Sequence, residues 1–124
     1  MNERPHKRLE CWKKGIEITK TVYEITGRFP NNEMYGLSSQ MRRAAVSIPS
    51  NISEGAAKNT KKEFIQFLYN AQGSLSELDT QLTIADEIGY IDKNTYSSIE
   101  RELNHENRLI TGLIKSLKKV SAKQ

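Results

Sequence analysis

TKKEFIQFLYNAQGSLSELDTQLTIADEIG, residues 60–89, is the stretch that decides the fold. Within it Phe64, Leu68, Ala71, Leu75, Leu78, Leu82 and Ala85 recur at alternating spacings of four and three. On a helix of about 3.6 residues per turn this rhythm lays the apolar side chains along one seam, as in a bundle or coiled coil. A half-buried strand would need alternation with period two, which is absent. Thr60 is placed to cap the helix, with Glu63 three residues on completing a capping box, and Gly89 stops it. The pattern predicts a helix over about 60–88.

Three further segments carry the same periodicity. From about 7 to 29, Cys11, Gly15, Ile18, Val22, Ile25 and Phe29 form one stripe, and Trp12, Ile16, Thr19 and Tyr23 form a parallel one. Pro30-Asn31-Asn32 ends that helix, because proline lacks an amide hydrogen and disfavours helix in the residue before it. From about 33 to 57 the stripe is Met34, Leu37, Met41, Ala45, Ile48 and Ile52. Pro49 lies inside it and predicts a kink, with a break at Ser47 as the competing reading. From about 92 to 121, behind Asp92 as a cap, run Tyr96, Ile99, Leu103, Glu106, Ile110, Leu113, Leu117 and Val120. Two short breaks make the helices they join antiparallel neighbours, so the expected architecture is all-α: one domain over 1–124, an antiparallel up-down-up-down four-helix bundle.

Composition narrows the function classes. The chain has 124 residues with 36% hydrophobic and 27% charged, which suits one helical domain with a large wetted surface. A single cysteine, Cys11, excludes an intrachain disulfide, and in a helical stripe it reads as a small core residue. The start is polar, and no run approaches the ~20 apolar residues of a membrane span, so a cytoplasmic protein is expected. The net charge of +4 is mildly basic and permits a nucleic-acid partner.

Catalytic motifs are missing from the sequence. It has no phosphate-cradling Gly-rich loop, no Cys-x-x-Cys pair and no Gly-x-Ser-x-Gly elbow. Glu102-x-x-His105 matches one element of a di-metal bundle site, but that site needs a second copy and two more inward glutamates. The only other histidine is His6, outside the bundle. No enzyme activity, metal or cofactor is expected.

The second helix carries a polar stripe beside its apolar one: Gln40, Arg43, Ser47, Asn51 and Glu54 share a side at spacings of three and four. With the following turn centred near residue 58 or 59, residues whose numbers sum to about 117 lie level across the antiparallel pair. Arg43 then stands beside Ser74, Gln40 beside Glu77 and Asn51 beside Gln66. Arg43 and Glu77 are offset by about 4.5 Å, within reach of an ion pair. Gln40, Arg43, Ser47, Asn51, Glu54, Ser74 and Glu77 are therefore expected to form a structural polar layer, or else a surface for a ligand or partner.

The stretch from Gln40 to Gly55, together with Phe64-Ile65-Gln66-Phe67-Leu68 and Ala71-Gln72-Gly73-Ser74-Leu75-Ser76-Glu77-Leu78, resembles a known family. It is similar to the four-helix-bundle proteins encoded by intervening sequences inside bacterial 23S ribosomal RNA genes. Accessory proteins of diversity-generating retroelements are relatives of that family. The resemblance runs from about Leu9 to Leu117. Ser53 departs from the family, which more often has Ala before Glu-Gly, and so does Lys58, often Arg there. The resemblance implies an up-down bundle that assembles into rings of five, a homopentamer without an established biochemical role. For the retroelement relatives it implies non-enzymatic partnership with a reverse transcriptase and nucleic acid.

Two expectations follow from the residues themselves. Apolar side chains outside the seams, namely Trp12, Ile65, Tyr69, Ile84, Leu109 and Ile114, exceed what one narrow seam needs and point to self-association. Charge is also polarised. An up-down bundle gathers the start of helix one, the turn between helices two and three, and the end of helix four at one end. Arg4, Lys7, Arg8, Lys13, Lys14, Lys58, Lys61, Lys62, Lys115, Lys118, Lys119 and Lys123 collect there, 12 of the 19 basic residues. Only Glu3, Glu10, Glu54 and Glu63 oppose them, a local excess of eight positive charges. Lysines near the end of helix four offset its dipole, but Lys61 and Lys62 sit at a helix start, where positive charge is unfavourable. The expected function is a self-assembling protein that binds an RNA or DNA backbone through this basic end. A scaffold that touches protein only is the alternative.

Overall fold

The computed structural model describes residues 4–122, with side chains up to Lys119. Four helices follow in order: α1 (Glu10–Thr26), α2 (Leu37–Ala56), α3 (Lys61–Glu87) and α4 (Lys93–Ala122). Short 3-10 turns at Pro5–Arg8 and Asn31–Glu33 precede α1 and α2. Each helix packs on the next, α4 packs back on α1, and the diagonal pairs stay apart. This is the expected antiparallel up-down-up-down four-helix bundle, with no strand among the described residues.

Caps set the helix boundaries. Thr60 Oγ1 accepts from the Glu63 amide at 3.1 Å and donates to the Glu63 carboxylate at 2.9 Å. Asp92 Oδ1 accepts from the Thr95 amide at 2.7 Å, and this bond holds the Asp92 carboxyl below its usual range. Gly89, at φ 82°, turns the chain after α3 and lets the Tyr90 amide reach the Ala85 carbonyl at 2.8 Å, the reversal that favours glycine.

The first two helices are shorter than the expected 7–29 and 33–57. Pro5 starts a separate turn that takes in Lys7 and Arg8, so α1 begins only at Glu10. Phe29 lies beyond α1, yet it is buried and packs against Tyr90 with ring centroids 5.1 Å apart. The start of α2 moves from 33 to 37 because Glu33 caps it from outside. Its Oε1 accepts from the Leu37 amide at 3.1 Å and its Oε2 accepts from the Tyr90 hydroxyl at 2.8 Å. Met34 therefore leaves the apolar stripe and is 57% exposed.

The core contains the expected seams: Cys11, Ile18, Val22 and Ile25 of α1, Met41, Ala45, Ile48 and Ile52 of α2, and Leu68 to Ala85 of α3. On α4 the seam runs Ile99, Leu103, Glu106, Ile110 and then Ile114, not Leu113. A straight α-helix drifts by about 20° per heptad against a 3.5-residue repeat, and the drift carries the inward position one residue on. Ile114 is thus core and not spare surface, and the side chain of Val120 lies outside the described part.

Helix α2 continues unbroken through Pro49. Proline supplies no amide hydrogen for the Ala45 carbonyl. The single proton of the Thr19 hydroxyl of α1 is shared between that carbonyl, at 3.2 Å, and the Gly15 carbonyl of its own helix, at 2.8 Å, so the orphaned acceptor is partly satisfied from the neighbouring helix. Glycine makes the approach possible: a Cβ on Gly15 would stand 3.2 Å from Pro49 Cδ and 3.1 Å from Glu106 Oε2.

Glu106 is fully buried, and neither carboxylate oxygen has a hydrogen-bond partner among the described residues. Burial pushes its carboxyl up to about 8, with Lys14 of α1 pulling weakly the other way. The neighbouring Cys11 thiol is pushed up to about 12 by burial and by Glu106, so it stays protonated and inert as a nucleophile at neutral pH. A polar group sealed without partners costs stability, and more so when ionised.

Two predictions arise from this core. A Cβ on Gly55 would lie 2.7 Å from Phe67 Cβ and 3.2 Å from the Phe64 carbonyl oxygen, whereas one on Gly73 meets nothing within 4 Å. Gly55→Ala should therefore destabilise by about 1–3 kcal/mol through overpacking. Gly73→Ala should stabilise by about 0.5–1 kcal/mol through helix propensity alone. Equal effects of the two in urea unfolding would contradict the packing described. The second concerns pH. Because the folded pKa of Glu106 lies above its ordinary 4.5, its contribution is full below pH 4.5 and is lost as pH rises to about 8. The stability of Glu106→Gln relative to wild type should thus grow with pH across that window, by up to about 1.4 kcal/mol per unit, and level off above it. A difference that stays flat from pH 5 to pH 9 would refute an uncharged buried Glu106.

Candidate nucleic-acid interface

The 3-10 turn at Pro5–Arg8 packs against α1 and α2 and so closes one end of the bundle. It brings Arg4 and His6 beside Ser53, Glu54 and Ala57 in a recess next to the α2–α3 turn. His6 also meets Trp12 edge to face, with centroids 5.1 Å apart, which ties the turn to α1. The end of α4 lies at the same end by topology. The segments that carry the expected cations, Lys14 apart, lie at this end, while Lys123 and the opposing Glu3 lie outside the described residues.

Their states differ. Arg4, Lys7, Arg8, Lys58, Lys62, Lys115 and Lys119 are exposed, and Lys61 is half-buried. Lys13 is 3.5 Å from Glu10 in an exposed pair, which solvent and salt weaken. Lys118 donates to the Tyr69 hydroxyl at 2.7 Å and lies 5.4 Å from that ring's centroid, while Lys58 is 5.3 Å from the centre of Phe67. Both hold the ammonium itself over an aromatic face at the surface, a cation–π arrangement.

Lys14 does not belong to this surface. Its ammonium is held between Glu102 and Glu17, the latter at 3.3 Å, and its side chain is only 16% exposed. The hydrogen bond to Glu102 raises its pKa. Its place on α1 faces α4, so it closes the seam beside Glu106 and is not free for phosphate. Glu102 is thereby occupied as well, His105 is exposed, and no group of three or more His, Cys, Asp or Glu among the described residues could hold a metal ion.

The polar layer is smaller than expected. The Ser47 and Ser74 hydroxyls hydrogen-bond to each other across α2 and α3. Asn51 Nδ2 donates to the Ser47 carbonyl at 2.8 Å and to its hydroxyl at 3.3 Å. Gln40, Arg43, Glu54 and Glu77 are exposed. Arg43 and Glu77 form no ion pair, and Glu77 instead accepts weakly from Gln81 at 3.5 Å. Two physical reasons account for this. Level residues such as Ser47 and Ser74 sum to 121 and not 117, a shift of four. Side chains lean toward their own helix N-terminus, which accounts for about two of those four. In addition, at about 100° per residue Arg43 lies about 200° around the helix from inward-facing Met41.

Sequence pattern did not single out Arg42. Its Nε donates to the Thr26 hydroxyl at 2.8 Å, and its guanidinium carbon sits 4.7 Å from the Tyr23 ring centroid. The signal was present as an arginine next to the apolar stripe, but its partners are on another helix. Toward the same end Glu100 shares a hydrogen bond with Asp79 across α3 and α4, which with burial pushes Glu100 up to about 7.

With Arg43 and Glu77 both in solvent, Arg43→Ala and Glu77→Ala should each change stability by less than about 0.5 kcal/mol, and their effects should add. A coupling above about 1 kcal/mol in the double-mutant cycle would restore the ion pair.

The same arrangement of helices occurs in a known structure. A crystal structure of a protein of unknown function from the S23 ribosomal protein family of Bacteroides thetaiotaomicron superposes with a TM-score of 0.76 at 24% identity. The alignment covers 85% of this chain and 98% of that one, which shows a common fold. Comparison with curated proteins gives no match. Residues 7–112 match the family described as 23S rRNA-intervening sequence protein, and over that span the chain belongs to this family.

Proposed function

We propose that the chain is a non-enzymatic, self-assembling binding protein of the cytoplasm that holds an RNA or DNA backbone at its basic end. The observation that carries this reading is a set of exposed cations gathered from three separate segments: Arg4, Lys7 and Arg8, then Lys58 and Lys62, then Lys115 and Lys119. Among the described residues none of them has an acidic partner within ion-pair distance. Lys61 and Lys62 stand at the start of α3, where the helix dipole opposes them. The helix dipole does not account for their placement, and a polyanion partner would. Lysine heads on flexible stems suit sequence-independent contact with phosphates. The family's description, drawn from ribosomal RNA genes, agrees with a nucleic-acid setting.

Self-association is supported by apolar surface. Ile16 on α1, and Tyr69 and Ile84 on α3, are each about 40% exposed. Copies arranged in parallel, five in a ring as the family resemblance implies, would merge their basic ends into one surface. The second reading, a scaffold that binds only protein, draws on the same apolar residues.

Light scattering at micromolar concentration should give a mass that is a multiple of 14.2 kDa, and a monomer would remove self-assembly. Lys61, Lys62, Lys115 and Lys119 changed together to Ser should weaken binding of both RNA and DNA at low salt, with little dependence on sequence. On duplex DNA the slope of log K against log salt should fall by up to about 0.9 for each phosphate that the variant no longer neutralises. Unchanged affinity in a folded, assembled variant would reject the basic end and favour the scaffold.

A further inference from the structure

At the other end of the same helix pair, Tyr23 of α1, Met34, and Ser39, Arg42, Arg43 and Val46 of α2 line a shallow recess of about 560 Å³. Among the described residues no acidic side chain lines it, and the ion pairs leave both arginines without a carboxylate. Arg42 is half-buried and held on two sides. The Thr26 hydroxyl accepts from its Nε at 2.8 Å, and the Tyr23 ring lies under its guanidinium at 4.7 Å. Its terminal nitrogens have no partner among the described residues. An arginine fixed this way loses little freedom when it binds an oxyanion, and its fork matches phosphate geometry. Arg43 adds a second permanent charge beside it, and Ser39 a hydroxyl. Tyr23, Met34 and Val46 supply an apolar wall of the kind that accepts the body of a small ligand.

We propose that this recess binds a phosphate ester carrying a flat or apolar body, the chemistry of a nucleotide, whether free or at the end of an RNA strand. The site stands apart from the basic end. It uses arginines at the start of α2, whereas the basic end uses Arg4, Arg8 and lysines around the opposite end of α1 and α2. Thr26 is a positioning residue, since it acts through Arg42.

The test uses adenosine monophosphate, inorganic phosphate, acetate, and one short RNA with either a 5′-phosphate or a 5′-hydroxyl. Binding is followed by amide chemical shifts and titration calorimetry on the whole chain. Adenosine monophosphate should bind more tightly than inorganic phosphate and move the amides of Tyr23, Ser39 and Arg43. Arg43→Gln, at an exposed position, should weaken it about tenfold without altering the fold. Arg42→Lys should weaken it as well, because it keeps the charge and loses the fork. The variant with four surface lysines changed to Ser should bind it as wild type does. A gain for 5′-phosphorylated RNA over the 5′-hydroxyl form that Arg43→Gln removes identifies the strand end as the source, and no gain identifies the free nucleotide. Acetate matching phosphate, adenosine monophosphate binding unaffected by Arg43→Gln, or loss only in the lysine variant would each overturn the proposal.

Discussion

Where α1 crosses α2, the ring of Pro49 lies against Gly15, and every neighbour is fitted to that contact. Proline in mid-helix removes one hydrogen bond and normally disrupts the helix at a cost of about 3 kcal/mol or more. Here the freed Ala45 carbonyl receives the Thr19 hydroxyl of the opposite helix, so the defect becomes a link between two elements. Gly15 accepts the ring because it has no side chain, and the same space admits the Glu106 carboxyl from α4. Three helices thus meet at one point. Added bulk at Gly15 meets both Pro49 and Glu106.

Much of this was legible in the sequence, and the exceptions share a cause. Seam residues of α3 repeat on a strict rhythm, and the cap residues Thr60 and Asp92 act within three positions of themselves, so local pattern suffices. The start of α2 was not legible, because Glu33 caps it from four residues outside and is held there by Tyr90, 57 residues on. The Arg43–Glu77 pair failed for a related reason. Register across two helices depends on side-chain lean and on the geometry of the turn, and Arg43 also points away from the face that carries Met41. Glu106 was visible as a lone acid on the α4 seam between Leu103 and Ile110. What periodicity does not convey is that such a residue lies sealed without partners, its carboxyl pushed up to about 8 by burial.

Lys14 shows how a charge count differs from a charge surface. In the sequence it is one of several cations at the start of α1. In the fold it turns to α4, pairs with Glu102 and covers the edge of the seam that hides Glu106. Among the described residues its positive charge is the one that acts on Glu106, and that influence is smaller than the effect of burial. Lys14 therefore serves the core, while Lys13, its neighbour, remains at the surface beside Glu10.

The two cationic regions also differ in physics, and that difference bears on how they would act together. The cations of the basic end, mostly lysines on long stems, are spread over three chain segments. Their joint field attracts a polyanion at a distance and is screened over about 8–10 Å at ordinary ionic strength. Arg42 is different, because its fork is already oriented by Thr26 and Tyr23 before any ligand arrives. An oriented fork contributes geometry more than range, and hydrogen bonds made at close range are screened less than a distant field. Salt should therefore separate the two: the first loses strength steeply as salt rises, and the second retains what direct hydrogen bonding supplies. A parallel assembly would amplify only the first, since fields from neighbouring basic ends add, whereas each recess on the α1–α2 face keeps its own pair of arginines.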